Sequence, residues 1–280
     1  MLEFKKKNLL INIFPNINDL YMWCKNTPRR ETAKKESQDK KDEGWCGTKT
    51  LEEAYDKLLH SDDELYKKMK EKSKEIKIEK ILGNTYLKNR PFNDVVGFQA
   101  DVPAYLKGIP QNMINVKPVR RSQKIINLCF NLSVNAGVTQ DEVEQAGTVY
   151  ANVIDILEKM GYRCNLYVMS GVEYNEEDSY CLVKVKTDRE PFNLKKLCFI
   201  FGSPGYDRRI MFKWIESSNM DKEPCNFCYG RPLTDKTKIH KILKKYLKNE
   251  FIIWSIQHQT VAKIEDVIED LKKSGISLED

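Results

Sequence analysis

Ile125-Ile126-Asn127-Leu128-Cys129-Phe130 runs directly into Asn131-Leu132-Ser133-Val134-Asn135. The first six residues are an apolar, β-prone run, and the next five alternate polar with apolar. Thr139-Gln140-Asp141-Glu142 then forms a capping box, with a hydroxyl at the N-cap and a carboxylate three residues on. Val143, Ala146, Tyr150, Val153, Ile154, Leu157 and Met160 recur at steps of three and four, one apolar face of a helix about twenty residues long. Gly161 stands where a helix ends in the left-handed conformation, and a second strand runs from Cys164 to Val168. This order of strand, polar loop, helix and strand is a βαβ unit. A polar loop at the C-terminal end of its first strand is where such folds place ligands.

Moving toward the C-terminus, a polar turn at 175–178 leads to a third strand at 180–185, which reads as the outer arm of a hairpin at a sheet edge. Leu194, Leu197, Cys198 and Phe201 share a helical face, and Gly202-Ser203-Pro204-Gly205 breaks it. Residues 209–216 form a second helical piece, 219–234 a loop, 237–247 a lysine-rich helix, 251–256 a buried strand and 261–273 a closing helix before Gly275. Strands alternating with helices predict an α/β fold, a three-layer Rossmann-like sheet over 120–280, with Ile125–Phe130 and Phe251–Ile256 in one sheet.

The N-terminal part, 1–119, reads as a mostly helical extension packed on that core. Residues 5–14 read as an edge strand, in which Leu9 to Phe14 is a short apolar run broken by Asn12 and stopped by Pro15, a first strand and not a leader peptide. Residues 25–43 are almost free of apolar side chains, and a mobile loop is expected there. A capping box at Thr50 to Glu53 opens a helix with Ala54, Tyr55, Leu58 and Leu59 inward. A second helix follows Ser61, with a narrow apolar stripe through Leu65, Met69, Ile76 and Leu82. Residues 83–118 are rich in proline and glycine and read as a long irregular connection with one short helical turn at Asp101–Leu106, packed down by Phe92, Phe98 and Tyr105.

Composition sets outer bounds. With 31% charged and 41% hydrophobic residues the chain can bury a core and stay in water. No stretch of about eighteen apolar residues exists, so no membrane partner is expected. Eight cysteines without a leader point to free thiols in a reducing cytoplasm. A net charge of +6, from 47 basic and 41 acidic residues, permits an acidic partner without requiring one.

Two resemblances can be placed on particular residues. The polar positions of Asn131-Leu132-Ser133-Val134-Asn135, with the strand and helix order around them, resemble a von Willebrand factor A-type domain. That family binds a divalent metal and a partner carboxylate through Asp-x-Ser-x-Ser. Asn131 replaces the leading Asp and only Ser133 matches strictly, so the resemblance implies partner contact at Asn131, Ser133 and Asn135 without stable metal. Gly47-Thr48-x-Thr50-x-Glu52-Glu53-Ala54, Asp101-Val102-Pro103-Ala104-Tyr105-Leu106-x-Gly108-x-Pro110-x-x-Met113 and the unit from Ile125 resemble an uncharacterised family of bacteriophage-encoded proteins. That resemblance implies a phage origin, and hence a host-cell cytoplasm, but no activity.

The remaining motifs give alternatives. Cys225-Asn226-Phe227-Cys228 is a CxxC, and with His240 it makes an incomplete zinc set. No Walker loop, dinucleotide fingerprint or nucleophile elbow occurs, and no cofactor is expected. Arg120 and Arg121, together with Lys241, Lys244, Lys245 and Lys248 on one helix, are candidate phosphate contacts, as are Arg208, Arg209 and Lys213 beside Trp214. The expected function is a non-enzymatic binding or assembly protein that contacts a protein partner. The alternative is a protein that binds or processes nucleic acid through these basic residues.

Overall fold

The computed structural model describes residues 1–33, 35–38, 43–76, 90–117, 124–174, 177–220, 233, 235–255 and 264–276. Arg120, Arg121, Cys225 and Cys228 lie outside the described residues.

The fold is mixed α/β, built on a six-stranded sheet. β1 (Leu2–Lys6) pairs antiparallel with β2 (Leu9–Phe14). The later strands are β6 (Ile125–Asn131), β7 (Arg163–Tyr174), β8 (Glu177–Lys186) and β9 (Ile252–Ser255), and the order across the sheet is β1-β2-β8-β7-β6-β9. β6 is parallel to both β7 and β9, which places 125–130 and 252–255 side by side as expected. β7 and β8 form the antiparallel hairpin. β8 is not at an edge, because β2 pairs with it in parallel, Leu9 opposite Asp178 through Phe14 opposite Val183. The alternation in Leu9–Phe14 explains this. Leu10 and Phe14 are buried on one face of the sheet and Ile11 and Ile13 on the other, a pattern suited to a strand covered on both sides. The division drawn at 119/120 therefore runs between strands of one sheet.

Both faces are covered, giving three layers. On one face lie α1 (Ile17–Asn26), α3 (Leu51–His60), α6 (Gln140–Lys159), α7 (Leu194–Gly202), a π-helical segment (Tyr206–Met211) continuing into α8 (Phe212–Ser217), and α10 (Ile264–Lys273). Phe130 sits at the centre of this layer, its ring 4.7 Å from Phe201 and 5.3 Å from both Tyr150 and Trp254. The capping box of α6 is formed as the sequence predicts, with Thr139 and Glu142 bonded reciprocally. The other face carries α9 (Lys236–Leu247), whose Ile239, Ile242 and Leu243 pack on Ile11, Tyr167, Met169 and Leu182. Outside these layers, α4 (Asp63–Glu75) buries Leu65 and Met69 as a narrow stripe, and the one-turn α2 (Glu43–Cys46) leads to Gly47.

Residues 90–117 are not irregular. They form a second sheet of three strands, β3 (Arg90–Asp94), β5 (Met113–Lys117) and β4 (Gln99–Ala100), with β5 in the middle, and one helical turn, α5 (Val102–Leu106).

Candidate functional site

The polar loop after β6 turns inward. Asn131 is 1% exposed and Ser133 3%. Asn131 Nδ2 donates to the Leu233 carbonyl and to Ser255 Oγ, so it ties β6 to β9 and to the segment before α9. Its Oδ1 accepts the Ser133 amide at 3.2 Å. Ser133 Oγ accepts the Gly171 amide and lies 3.1 Å from Ser170 Oγ, which donates to Asp207 Oδ1 at 2.8 Å. Asn135 is half-buried and closes a turn by accepting the Gly137 amide. The three side chains expected to meet a partner therefore diverge, two of them into the protein. At the N-terminus of α6 the Glu142 amide is taken up by Thr139 Oγ1.

Asp207 begins a run of charged residues that the sequence does not mark as buried. Arg208 and Arg209 are both 0% exposed, and Lys213 and Glu216 are also buried. They are not phosphate contacts, because each charge is turned onto backbone or side-chain atoms of the chain itself. Arg208 donates to the carbonyls of Trp45, Asn135 and Val138, with its guanidinium 4.3 Å from the Trp45 ring centre. Arg209 donates to the carbonyls of Ser37, Thr48 and Lys49. Lys213 donates to Thr27 O and Ser217 Oγ. Glu216 accepts both the amide and the hydroxyl of Ser37.

These bonds reach into the polar segment at 25–43. Over its described residues Ala33 and Ser37 are buried, and the Arg30 amide donates to Glu216 O. The polar composition of that segment supplies carbonyls and hydroxyls to buried charges, which is how charges are tolerated away from water. Burial pushes the Asp207 carboxyl up to about 6, with the Ser170 hydroxyl, the Val134 amide and Arg208 opposing it. Burial likewise raises Glu216, against its Ser37 bonds and Lys213, and lowers the Lys213 ammonium.

A cleft of about 540 Å³ lies over this hub, lined by Tyr21, Cys24, Tyr55, His60 and Lys213 among others. Two of its reactive groups are shifted in opposite senses. Burial lowers the Lys213 ammonium, which is held by Thr27 and Ser217, and pushes the Cys24 thiol up to about 12, which sets that thiol against nucleophilic chemistry at neutral pH.

The basic candidates on α9 separate. Lys244 closes on Glu250, while Lys241, Lys245 and Lys248 have no acidic partner among the described residues. His240 Nε2 lies 3.0 Å from Glu250. Among the described residues no three His, Cys, Asp or Glu side chains are gathered as a metal would require, and no helix is long and apolar enough to cross a membrane.

The most unusual surface was the least legible in the sequence. Asp101 caps α5 by accepting the Ala104 amide, and Asn93 bridges β3 to Asp101 at 2.8 Å. Gly97 passes so close to β5 that a Cβ there would lie 2.2 Å from the Ile114 carbonyl oxygen. On this closed frame Phe98 is 68% exposed, Leu106 77% and Tyr105 66%, with Val95, Val96, Val102 and Ile109 exposed alongside. Phe98 and Tyr105 were expected to pack the segment down; here they point outward, because the frame is held by backbone bonds and short polar side chains. In α5 only Ala104 is buried, so Val102, Tyr105 and Leu106 lie on the outer side at helical spacing.

The fold and these surfaces define a mixed α/β protein with a small apolar module displayed on it. A family model described as a domain of unknown function, DUF7192, matches residues 3–277, and the chain belongs to that family. Comparison with curated proteins and with solved structures finds no match.

Proposed function

We propose that this is a non-enzymatic binding or assembly protein that grips a protein partner through the module at 90–117. The observation that carries the reading is the exposure of Phe98, Tyr105 and Leu106 on a frame closed by its own hydrogen bonds. Large apolar side chains gathered in water mark interaction sites, because their cover by a partner removes that surface from solvent. A pre-ordered frame adds to this, since little conformational freedom remains to be lost on binding. Kinship with von Willebrand A-type domains and a phage setting belong to the same proposal. The first is supported by the strand, polar loop, helix and strand order from Ile125, the second by the resemblance carried on the 47–54 and 101–113 motifs and the unit from Ile125.

The test compares the parent with a Phe98→Ser/Leu106→Ser variant, both made in the cells where the protein naturally occurs. The parent is expected to purify with one protein at fixed stoichiometry. The variant should lose that protein while melting at the same temperature. A variant that retains it would overturn the reading. Concentration-dependent sedimentation of the pure parent, abolished in the variant, would identify the partner as a second copy of this chain.

A further inference from the structure

The helix α9 is tied to the sheet at both ends of one flank. Near its start, Lys238 Nζ lies 2.7 Å from Asp178 and 3.4 Å from Glu173. Near its end, the Tyr246 ring lies 4.7 Å from the ring of Phe4 on β1. Lys241, Lys245 and Lys248 follow Lys238 at steps of three, four and three, so they run along that same flank above the sheet edge. Alternation along β1 puts Lys6 on the face of Phe4, and Lys7 sits in the turn that follows. All of β1 is exposed. Among the described residues Lys6, Lys7, Lys241, Lys245 and Lys248 have no acidic partner, although Lys238 and Lys244 beside them do.

What remains is a row of unneutralised ammonium groups beside a half-covered aromatic pair, with Phe4 37% exposed. We propose that this edge of the sheet binds single-stranded nucleic acid. The charge calls for a polyanion. The linear arrangement, with Lys241 and Lys245 about 6 Å apart along the helix axis, matches one phosphate chain better than a plane of lipid headgroups. The ring pair gives unstacked bases a surface, the combination that sequence-tolerant single-strand binding uses. This surface is separate from the apolar module, and its occupant is chemically different.

Fluorescence anisotropy of the full chain with a labelled twenty-nucleotide oligothymidylate tests the proposal. With five lysines in contact, raising salt from about 50 to about 200 mM should weaken binding about a hundredfold. Lys241→Gln/Lys245→Gln should weaken it at low salt and reduce the slope of log K against log salt by about 1.4. Phe4→Leu should weaken binding by about tenfold and leave the slope unchanged. Should the double lysine variant melt early, Lys6→Gln/Lys7→Gln reads the same slope from the other side of the strip. No binding at about 50 mM salt, or lysine variants that keep the parent's slope, would overturn the proposal. So would binding to phosphatidylserine vesicles with none to the oligonucleotide, which would assign the strip to an anionic membrane.

Discussion

Glu216 holds Ser37 twice, accepting its amide at 2.7 Å and its hydroxyl at 2.5 Å, across a sequence separation of 179 residues. This is the tightest link between the polar N-terminal segment and the helix at 206–217. Ser37→Ala removes one charge-assisted bond and should cost about 2 kcal/mol. Glu216→Leu leaves the Ser37 amide and Lys213 without their anion and should cost about 3–5 kcal/mol. Urea unfolding of the three proteins gives both numbers, and a Glu216→Leu protein as stable as the parent would show that the segment is not anchored there.

Asp207 makes stability depend on pH in an unusual direction. Its folded carboxyl titrates at about 6, raised by burial from an ordinary value of 3.8. Between those values the folded state keeps a proton that the unfolded state has lost, so the group's contribution falls as pH rises from about 4 to about 6. The full change is roughly 3 kcal/mol. Measured at intervals across that range, the parent should lose ground to Asp207→Asn as pH rises. A gain would reverse the assignment.

Gly147 lies within α6, where alanine would ordinarily add about 1 kcal/mol of stability. Here a Cβ would lie 2.3 Å from the Phe201 carbonyl oxygen, so the close approach of α6 to α7 depends on its absence. Gly147→Ala should therefore destabilise the fold by about 3 kcal/mol or more. Thermal melting would settle the sign.

The described cysteines, 24, 46, 129, 164, 181 and 198, are buried free thiols. Burial pushes Cys24 and Cys164 each up to about 12. They should resist a thiol reagent at neutral pH and react only when the chain unfolds. Mass mapping after brief labelling checks this, and fast modification at any of the six would contradict it.

Much of the sheet can be read from single residues. The apolar steps from Val143 to Leu157, the Thr139–Glu142 box and the alternation in Ile125–Phe130 are local signals, and each matches the element observed. The place of β2 was not legible as an inner strand, because strand order depends on pairing between residues far apart. The hub at 206–217 was hidden for a related reason. Arg208, Arg209, Lys213 and Glu216 read as surface residues by type, and only their distant carbonyl and hydroxyl partners make burial tolerable. For the loop at Asn131–Asn135 the polar alternation was plain, but its direction was fixed by Ser170, Asp207 and Leu233, which no spacing connects to it. The module at 90–117 was obscured by its prolines and glycines, which mark turns but do not tell a small sheet from a loop.

The parallel pairing of β2 with β8 imposes an order of events during synthesis. Phe14 meets Val183 only after the chain between them has left the ribosome. Until then Leu10, Ile11, Ile13 and Phe14 have only the exposed β1 to pair with, and a nascent hairpin with apolar side chains on both faces is a target for chaperones and for wrong pairing. Closure of so long a loop is slow by its topology. Translation speed between those positions is thus a variable to which the yield of folded protein should respond.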